Sequence, residues 1–196
     1  MPYQANMWGR TKRQLWNAPQ WSRETMADFD KAVEVLLAHE GGFASSDNHN
    51  GAVNCGITSR FLSQVGLPNT EADVRALTKA AATALYRRYF WDPLNLGHVV
   101  DQQLATLIFS MAVNCGAFTA VRLLQLALFE LGYPIKIDGA LGPKTAGALN
   151  SASSHDTIQA YKRRLTGRYQ HLADAKPELY ADDLGGWLNR LDALTT

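Results

Sequence analysis

The stretch Phe29-Asp30-Lys31-Ala32-Val33-Glu34-Val35-Leu36-Leu37-Ala38-His39-Glu40-Gly41-Gly42-Phe43 decides the fold of this chain. Its apolar positions with helical spacing are Phe29, Val33, Leu36 and Leu37. This spacing predicts an amphipathic helix over about 28–40, which Gly41 ends. A carboxylate in the last turn faces the negative end of the helix dipole, so Glu40 gains nothing structurally there. Partial burial would instead favour the protonated carboxyl that a general acid needs, whereas the alternative is a solvated surface glutamate.

A small polar loop rich in turn-forming residues follows this helix, from Ala44 to Thr58. The loop carries Asp47 and ends in a Gly-Ile-Thr step, after which a helical pattern resumes at Arg60. Lysozyme-type glycosidases typically have this order of elements. A helix that ends in an acidic residue is followed by two glycines and then by a polar loop that carries an aspartate. Glycoside hydrolysis commonly uses two such groups, one to protonate the leaving oxygen and one to activate water or stabilise the cation.

Further segments, in order, resemble glycoside hydrolase family 108, which contains bacterial and phage N-acetylmuramidases. They are His39-Glu40-Gly41-Gly42-Phe43, Asn54-Cys55-Gly56-Ile57-Thr58, Tyr86-Arg87-Arg88-Tyr89-Phe90-Trp91-Asp92-Pro93 and Ala112-Val113-Asn114-Cys115-Gly116. The peptidoglycan-binding segment usually joined to this family resembles Leu124-Gln125, Ile137-Asp138-Gly139-Ala140-Leu141-Gly142-Pro143-Lys144-Thr145 and Gly186-Trp187-Leu188-Asn189-Arg190. The resemblance spans about 27–192. It implies a mainly α, lysozyme-like helical fold with a short β-hairpin or loop at the active-site cleft.

The resemblance divides the chain into three parts. Residues 1–26 form an N-terminal extension, 27–116 a lysozyme-like catalytic domain, and 117–196 a helical, peptidoglycan-binding-like domain packed on it. The extension carries three tryptophans interleaved with basic residues, which either pack on the body or serve as an export, membrane or partner signal.

The resemblance implies catalytic roles for Glu40 as the acid and for Asp47 as the second group. The loop departs from the family pattern, since its prolines are missing and only Asp47 remains acidic. His49 is the substitute for Asp47, and a third alternative is that no side chain fills this role.

The candidate substrate-binding residues are His49, Asn54, Thr58, Trp91 and Asn114. Thr58 and Asn114 would position the sugar or the attacking water. Trp91 is the candidate stacking platform because sugar rings have apolar faces, although aromatic residues in such a segment are more often core. Asn114 is alternatively only a helix-terminal residue.

Helix boundaries follow from capping residues. The predicted N-caps or first helical residues are Thr70, Thr78, Asp101, Pro143 and Ser154. The helix after Thr78 should run to Phe90, and the one after Asp101 is apolar all round, which predicts the buried centre of the fold. A short last helix should carry Trp187.

Composition fits a compact enzyme of 196 residues with 46% hydrophobic content. The net charge of +1 argues against nucleic acid as a partner. The five histidines show no metal-site pattern, so we expect no metal and no cofactor. We expect a monomer that acts on peptidoglycan glycan strands. The first residues lack a signal-peptide pattern, which suggests synthesis in the cytoplasm and export by a holin or secretion system to the periplasm or wall.

Cys55 and Cys115 both stand between Asn and Gly. The alternatives are small buried thiols and, where the resemblance brings their segments together, a disulfide formed in an oxidising compartment. A catalytic thiol is disfavoured because no cysteine-hydrolase signature is present.

The sequence as a whole predicts an N-acetylmuramidase. Two rivals remain. One is a lytic transglycosylase, in which Glu40 is both acid and base. The other is a non-catalytic wall-binding or secretion-accessory protein.

Overall fold

The computed structural model describes residues 26–38, 42–45 and 51–195, which form a mainly helical fold with one short hairpin. This architecture confirms the predicted lysozyme-like helical class. The catalytic candidates Glu40 and Asp47 and the binding candidate His49 lie outside the described residues, as does the tryptophan-rich segment 1–25.

The first half of the described chain contains five α-helices and the hairpin. The elements are α1 Phe29–Ala38, β1 Val53–Asn54, β2 Ile57–Thr58, α2 Ser59–Gln64, α3 Glu71–Arg75, α4 Lys79–Tyr86 and α5 Gln102–Cys115. A π-helical segment, Arg87–Trp91, continues α4, and a 3-10 turn, Leu96–His98, precedes α5. The second half consists of α6 Ala117–Glu130, α7 Pro143–Ser151, α8 Ser154–Ala175 and α9 Pro177–Thr195.

The predicted capping residues account for most helix starts. Thr70, Thr78 and Asp101 each accept a hydrogen bond from a backbone N–H of the first turn, and Thr70 takes part in a full capping box. The prediction for α8 was one residue late. Its cap is Ser153, whose hydroxyl accepts from the Asp156 amide, and Ser154 is the first helical residue.

Helix α5 is the centre of the fold, as its uniform hydrophobicity predicts. Every residue from Leu104 to Ala112 is buried. Helices α1, α6 and α9 pack around it. On the α1 side, the ring of Phe109 meets the rings of Phe29 and Trp91 edge-on, at centroid distances of 6.0 and 5.6 Å.

Helices α1 and α5 begin at the same end of the molecule. The amide N–H of Asp28 donates to the Gln102 side-chain oxygen (2.7 Å), and the Gln102 amide group donates back to the Asp28 carbonyl (3.1 Å). Because the two helices pack on each other from this shared start, both run toward the opposite end. The last described residue of α1, Ala38, and the last turn of α5 therefore belong to the same end of the core.

The second half packs on α5 mainly through α6 and α9. Tyr161 on α8 is fully buried and its hydroxyl donates to the Ala120 carbonyl on α6 (3.0 Å). The last helix, α9, has 19 residues, so the expectation of a short one was wrong. Within the described ranges, no helix is both long and apolar enough to cross a bilayer.

A buried glutamine organises the turn between α6 and α7. Gln125 is fully buried, and its amide nitrogen donates to Asp138 Oδ1 (2.9 Å), the Ala140 carbonyl (3.0 Å) and Thr145 Oγ1 (3.1 Å). Its oxygen accepts from the Gly139 amide at 2.7 Å. Gly139 has φ +72°, and a Cβ there would collide with the Phe118 ring, so the turn requires glycine.

Candidate active site

The loop that carries Asp47 and His49, the candidates for the second catalytic group, is closed by a pair of backbone hydrogen bonds. Ala44 and Val53 form an antiparallel bridge, with N–H to O distances of 2.8 and 2.9 Å in the two directions. The residues between them include Asp47 and His49 and lie partly outside the described chain. The two ends of this loop are therefore fixed at the base of the hairpin, next to the segment that follows Glu40.

The hairpin itself turns through Cys55 and Gly56. Val53 pairs with Thr58 and Asn54 with Ile57, so only these two residues connect the strands. Both have positive φ, 49° and 73°, as the turn geometry favoured in two-residue hairpins requires. The Tyr86 hydroxyl donates to the Cys55 carbonyl at 2.9 Å and so ties this turn to α4.

Asn54 is used inside the protein. It is 8% exposed, and its amide nitrogen donates to the carbonyls of Val74 (3.1 Å), Arg75 (3.3 Å) and Leu77 (3.0 Å). The carbonyls of Val74 and Arg75 belong to the last turn of α3, and that of Leu77 follows it. The Asn54 side chain thus joins the hairpin to α3. These hydrogen bonds occupy the amide group with which Asn54 would otherwise bind a substrate.

Thr58 is the N-cap of α2. Its hydroxyl oxygen accepts a hydrogen bond from the Phe61 amide at 3.1 Å. The side chain is half-buried, and the hydroxyl proton is left to donate to another acceptor. Thr58 therefore begins the helix that leaves the hairpin while keeping one donor.

Trp91 lies in the core. It is 4% exposed, and its ring lies edge-on to those of Phe29 (5.5 Å between centroids) and Phe109. This burial disagrees with a stacking platform for sugars, which requires an open ring face. The predicted α-helix to Phe90 changes after Tyr86 into the π-helical segment, so the positions after Tyr86, Trp91 included, do not follow α-helical spacing.

Asn114 stands in the last turn of α5, where the second half of the chain meets the first. Its side-chain oxygen accepts a 2.7 Å hydrogen bond from the hydroxyl of Tyr169 on α8. Burial raises the pKa of Tyr169 well above its ordinary value, and the neighbouring Cys115 acts in the same direction, while Arg190 and Arg168 oppose it. The hydroxyl therefore remains a proton donor over the whole physiological range.

Cys115 follows as a half-buried thiol. Burial raises its pKa to about 11, although the positive charge of Arg168 acts in the opposite direction. Its sulfur lies 3.1 Å from the Met111 carbonyl. Cys55 and Cys115 are both free, so no disulfide joins them in this structure. The Arg168 Nε is buried and has no hydrogen-bond partner among the described residues.

The structure brings some of the candidates together and separates others. Asn54 and Thr58 share the hairpin, Asn114 lies at the end of α5, and Trp91 is in the core. Sequence reasoning missed Tyr169, although its spacing from Tyr161 and Leu165 places it on the buried face of α8. A buried tyrosine usually finds a partner for its hydroxyl, and this rule was the available signal.

The described ranges contain no group of three or more His, Cys, Asp or Glu side chains that could hold a metal ion.

The fold and these residues define a helical, lysozyme-like class of protein, and comparisons with known proteins narrow it. Residues 33–116 match the family described as Glycosyl hydrolase 108, and residues 119–192 match the family described as Predicted Peptidoglycan domain. The chain thus combines a region that matches glycoside hydrolase family 108 with a peptidoglycan-binding domain C-terminal to it. It is thus a glycoside hydrolase and, more specifically, a peptidoglycan hydrolase that acts at the cell wall.

The fold is also similar to a solved structure, that of SagA from Brucella abortus. The TM-score is 0.67 at 23% sequence identity, over 85% of this chain and 95% of that one. This similarity supports the fold assignment. A comparison with curated protein sequences finds no match.

Proposed function

We propose that this protein is an N-acetylmuramidase that cleaves the β-1,4 bond between N-acetylmuramic acid and N-acetylglucosamine. The observation that carries the proposal is the order His39-Glu40-Gly41-Gly42-Phe43 directly after α1, inside the matched range 33–116. Glu40 protonates the glycosidic oxygen, as the general acid of a glycosidase does.

The parallel course of α1 and α5 supports a cleft at the end of the core where both helices finish. The chain reaches Glu40 two residues after Ala38, and Asn114 lies in the last turn of α5. The loop carrying Asp47 leaves and returns at the Ala44–Val53 bridge. We infer from this connectivity that the acid, the polar loop and the end of α5 lie in one region of the molecule.

In this proposal Asp47 activates water or stabilises the oxocarbenium ion, and His49 takes this role if Asp47 does not. Thr58 and Asn114 keep a donor each and bind the sugar or the attacking water. Asn54 and Trp91 support the cleft from inside, because their polar or aromatic groups are already occupied by the protein.

The proposed division of labour follows the chain. Residues 27–116 carry out catalysis, and residues 117–196 bind the glycan or stem peptide. The protein works as a monomer and reaches the wall through a holin or a secretion system, in phage lysis or in secretion-linked wall remodelling.

The test is digestion of purified peptidoglycan by the wild type, Glu40→Gln and Glu34→Gln, with the released fragments reduced and weighed by mass spectrometry. Glu34 is an exposed glutamate on the same helix and is the matched control. We expect reducible muramic acid ends from the wild type and Glu34→Gln, and a loss of at least two orders of magnitude with Glu40→Gln.

Two other outcomes would contradict the proposal. Anhydro-muramic ends would mean a lytic transglycosylase, in which Glu40 acts as both acid and base. Binding to the wall without any release by the wild type would mean a non-catalytic wall-binding protein.

A further inference from the structure

The side chain of Tyr169 belongs to the second half of the chain but ends at a residue of the first. We propose that Tyr169 is a positioning residue for the glycan cleft. It fixes the Asn114 amide so that the Asn114 Nδ2 donates to an oxygen of the bound sugar. This inference rests on the proposed function and deepens it, because it gives the C-terminal half a part in the active cleft as well as in wall binding.

The first support is the geometry of the contact. The Tyr169 hydroxyl lies 2.7 Å from the Asn114 Oδ1, the most common distance for a hydroxyl that donates to an oxygen. It also lies 3.3 Å from the Met111 sulfur, but a thioether is a weak acceptor. The single hydroxyl proton is therefore directed to Asn114.

The second support is the orientation that this bond imposes on the amide. An asparagine side chain has one acceptor oxygen and one NH₂ group, and the hydrogen-bond network decides which way round they sit. A tyrosine hydroxyl that donates selects the oxygen, so the NH₂ group must point away from α8. Among the described residues, the Asn114 Nδ2 has no hydrogen-bond acceptor, and the side chain is only half-buried.

The third support is that Tyr169 is itself held firmly. The residue is 2% exposed, and its ring packs on that of Trp187 from α9 at a centroid distance of 5.1 Å. Tyr180 packs on the other side of this contact, 5.7 Å from Trp187. An amide held by a rigid partner loses less freedom when it binds the substrate than a freely rotating one, which is the basis of preorganised sites.

The experiment uses the full chain and solubilised peptidoglycan, and it measures kcat/KM from the release of reducing ends. Tyr169→Phe keeps the ring but removes the hydroxyl, and we expect kcat/KM to fall about tenfold, with most of the change in KM. Tyr161→Phe is the matched control. It also removes a buried hydroxyl of α8, but one that binds the Ala120 carbonyl, so it should lower thermal stability without changing kcat/KM.

A double-mutant cycle tests whether Tyr169 acts through Asn114. Adding Tyr169→Phe to Asn114→Ala should reduce kcat/KM by less than twofold beyond the single Asn114 variant. Asn114→Asp supplies an independent variant, since it keeps the acceptor for Tyr169 and replaces the NH₂ donor with a carboxylate oxygen. We expect it to fold as the wild type does and to lose about tenfold in kcat/KM.

Three results would overturn the inference: unchanged kcat/KM in Tyr169→Phe, unchanged kcat/KM in Asn114→Asp, or independent losses that multiply in the double variant. In each of these cases an active wild type and an inactive Glu40→Gln would leave the proposed function intact. A wild type that releases no reducing ends would instead remove the proposed function, and the inference with it.

Discussion

The hydroxyl of Tyr86 donates a hydrogen bond to the backbone carbonyl of Cys55 across 2.9 Å, and this bond connects the end of α4 to the hairpin turn. Tyr86 is fully buried, and its ring lies edge-on to that of Phe109 at a centroid distance of 6.0 Å. The turn it reaches has two residues with positive φ. The Tyr86 side chain thus joins the aromatic part of the core to the turn of the hairpin.

We expect Tyr86→Phe to lower the free energy of unfolding by about 1 kcal/mol, because it leaves the Cys55 carbonyl without this partner. Urea unfolding followed by circular dichroism measures the change. The control is Tyr133→Phe, whose hydroxyl binds the Ser151 carbonyl at 3.2 Å near the surface and should contribute less. Equal effects in the two variants would show that the Tyr86 bond has no special role.

Asn54 offers a second test, and here the structure and the sequence suggest different roles. Asn54→Ala removes the donor that serves three carbonyls, so we expect a loss of about 2 kcal/mol in the free energy of unfolding. Asn69→Ala is the matched control, because the exposed Asn69 makes one long bond of 3.4 Å to the Leu67 carbonyl. A rise in KM without loss of stability in Asn54→Ala would restore the substrate-binding role.

Local sequence signals explain how much of this fold could be predicted. Thr70, Thr78 and Asp101 are capping residues whose effect depends only on their own first turn, and all three were predicted correctly. The uniform hydrophobicity of α5 likewise identified the centre of the core. These features need no knowledge of distant contacts.

The features that could not be predicted depend on contacts between distant segments. Nothing near Trp91 indicates the switch from α- to π-helical geometry that accompanies its burial against Phe29. Nothing near Asn54 indicates that its amide will meet the end of α3, about twenty residues later. Both residues lie in segments that resemble the family, so the resemblance suggested a site role for each.

The Gln125 network supports a prediction about the second half. Gln125→Leu removes the partner of the Gly139 amide and one donor to each of three acceptors, so we expect a loss of about 3 kcal/mol in the free energy of unfolding. Differential scanning calorimetry measures the effect. The control is Gln64→Leu, because Gln64 is an exposed residue at the C-terminal end of α2. This substitution should change stability little. A loss no larger than that of the control would contradict a structural role for Gln125.

Asp138 gives the stability of this turn a dependence on pH. Its hydrogen bond from Gln125, then that from the Ala140 amide and the charge of Lys136, hold the pKa of this carboxyl below its usual range. A folded-state pKa below the unfolded value, about 3.9, stabilises the fold at higher pH, and the contribution is lost as the pH falls through the folded pKa. The stability difference between wild type and Asp138→Asn should therefore shrink from pH 6 toward pH 3.

Added salt separates the charge of Lys136 from the two hydrogen bonds as causes of this pKa shift. The Lys136 Nζ lies 3.9 Å from the Asp138 carboxylate on an exposed surface. Salt at about 0.5 M screens such an exposed ion pair. The Gln125 hydrogen bond is not screened in this way. We expect the pH-dependent difference to persist in salt, and its disappearance would assign the pKa shift to Lys136.

The raised pKa of Cys115 should lower its rate of thiol–disulfide exchange. With a pKa of about 11, Cys115 carries about a hundredth or less of the thiolate that an ordinary cysteine carries at pH 8. In the Cys55→Ser variant, which leaves only Cys115, we expect an aromatic disulfide reagent to react at least about a hundredfold more slowly than with free cysteine. Since the thiolate is the reactive form, the rate should rise about tenfold per pH unit up to the pKa. A rate that levels off near pH 8 would mean that the charge of Arg168 lowers the pKa of Cys115 more than burial raises it, which would contradict this prediction.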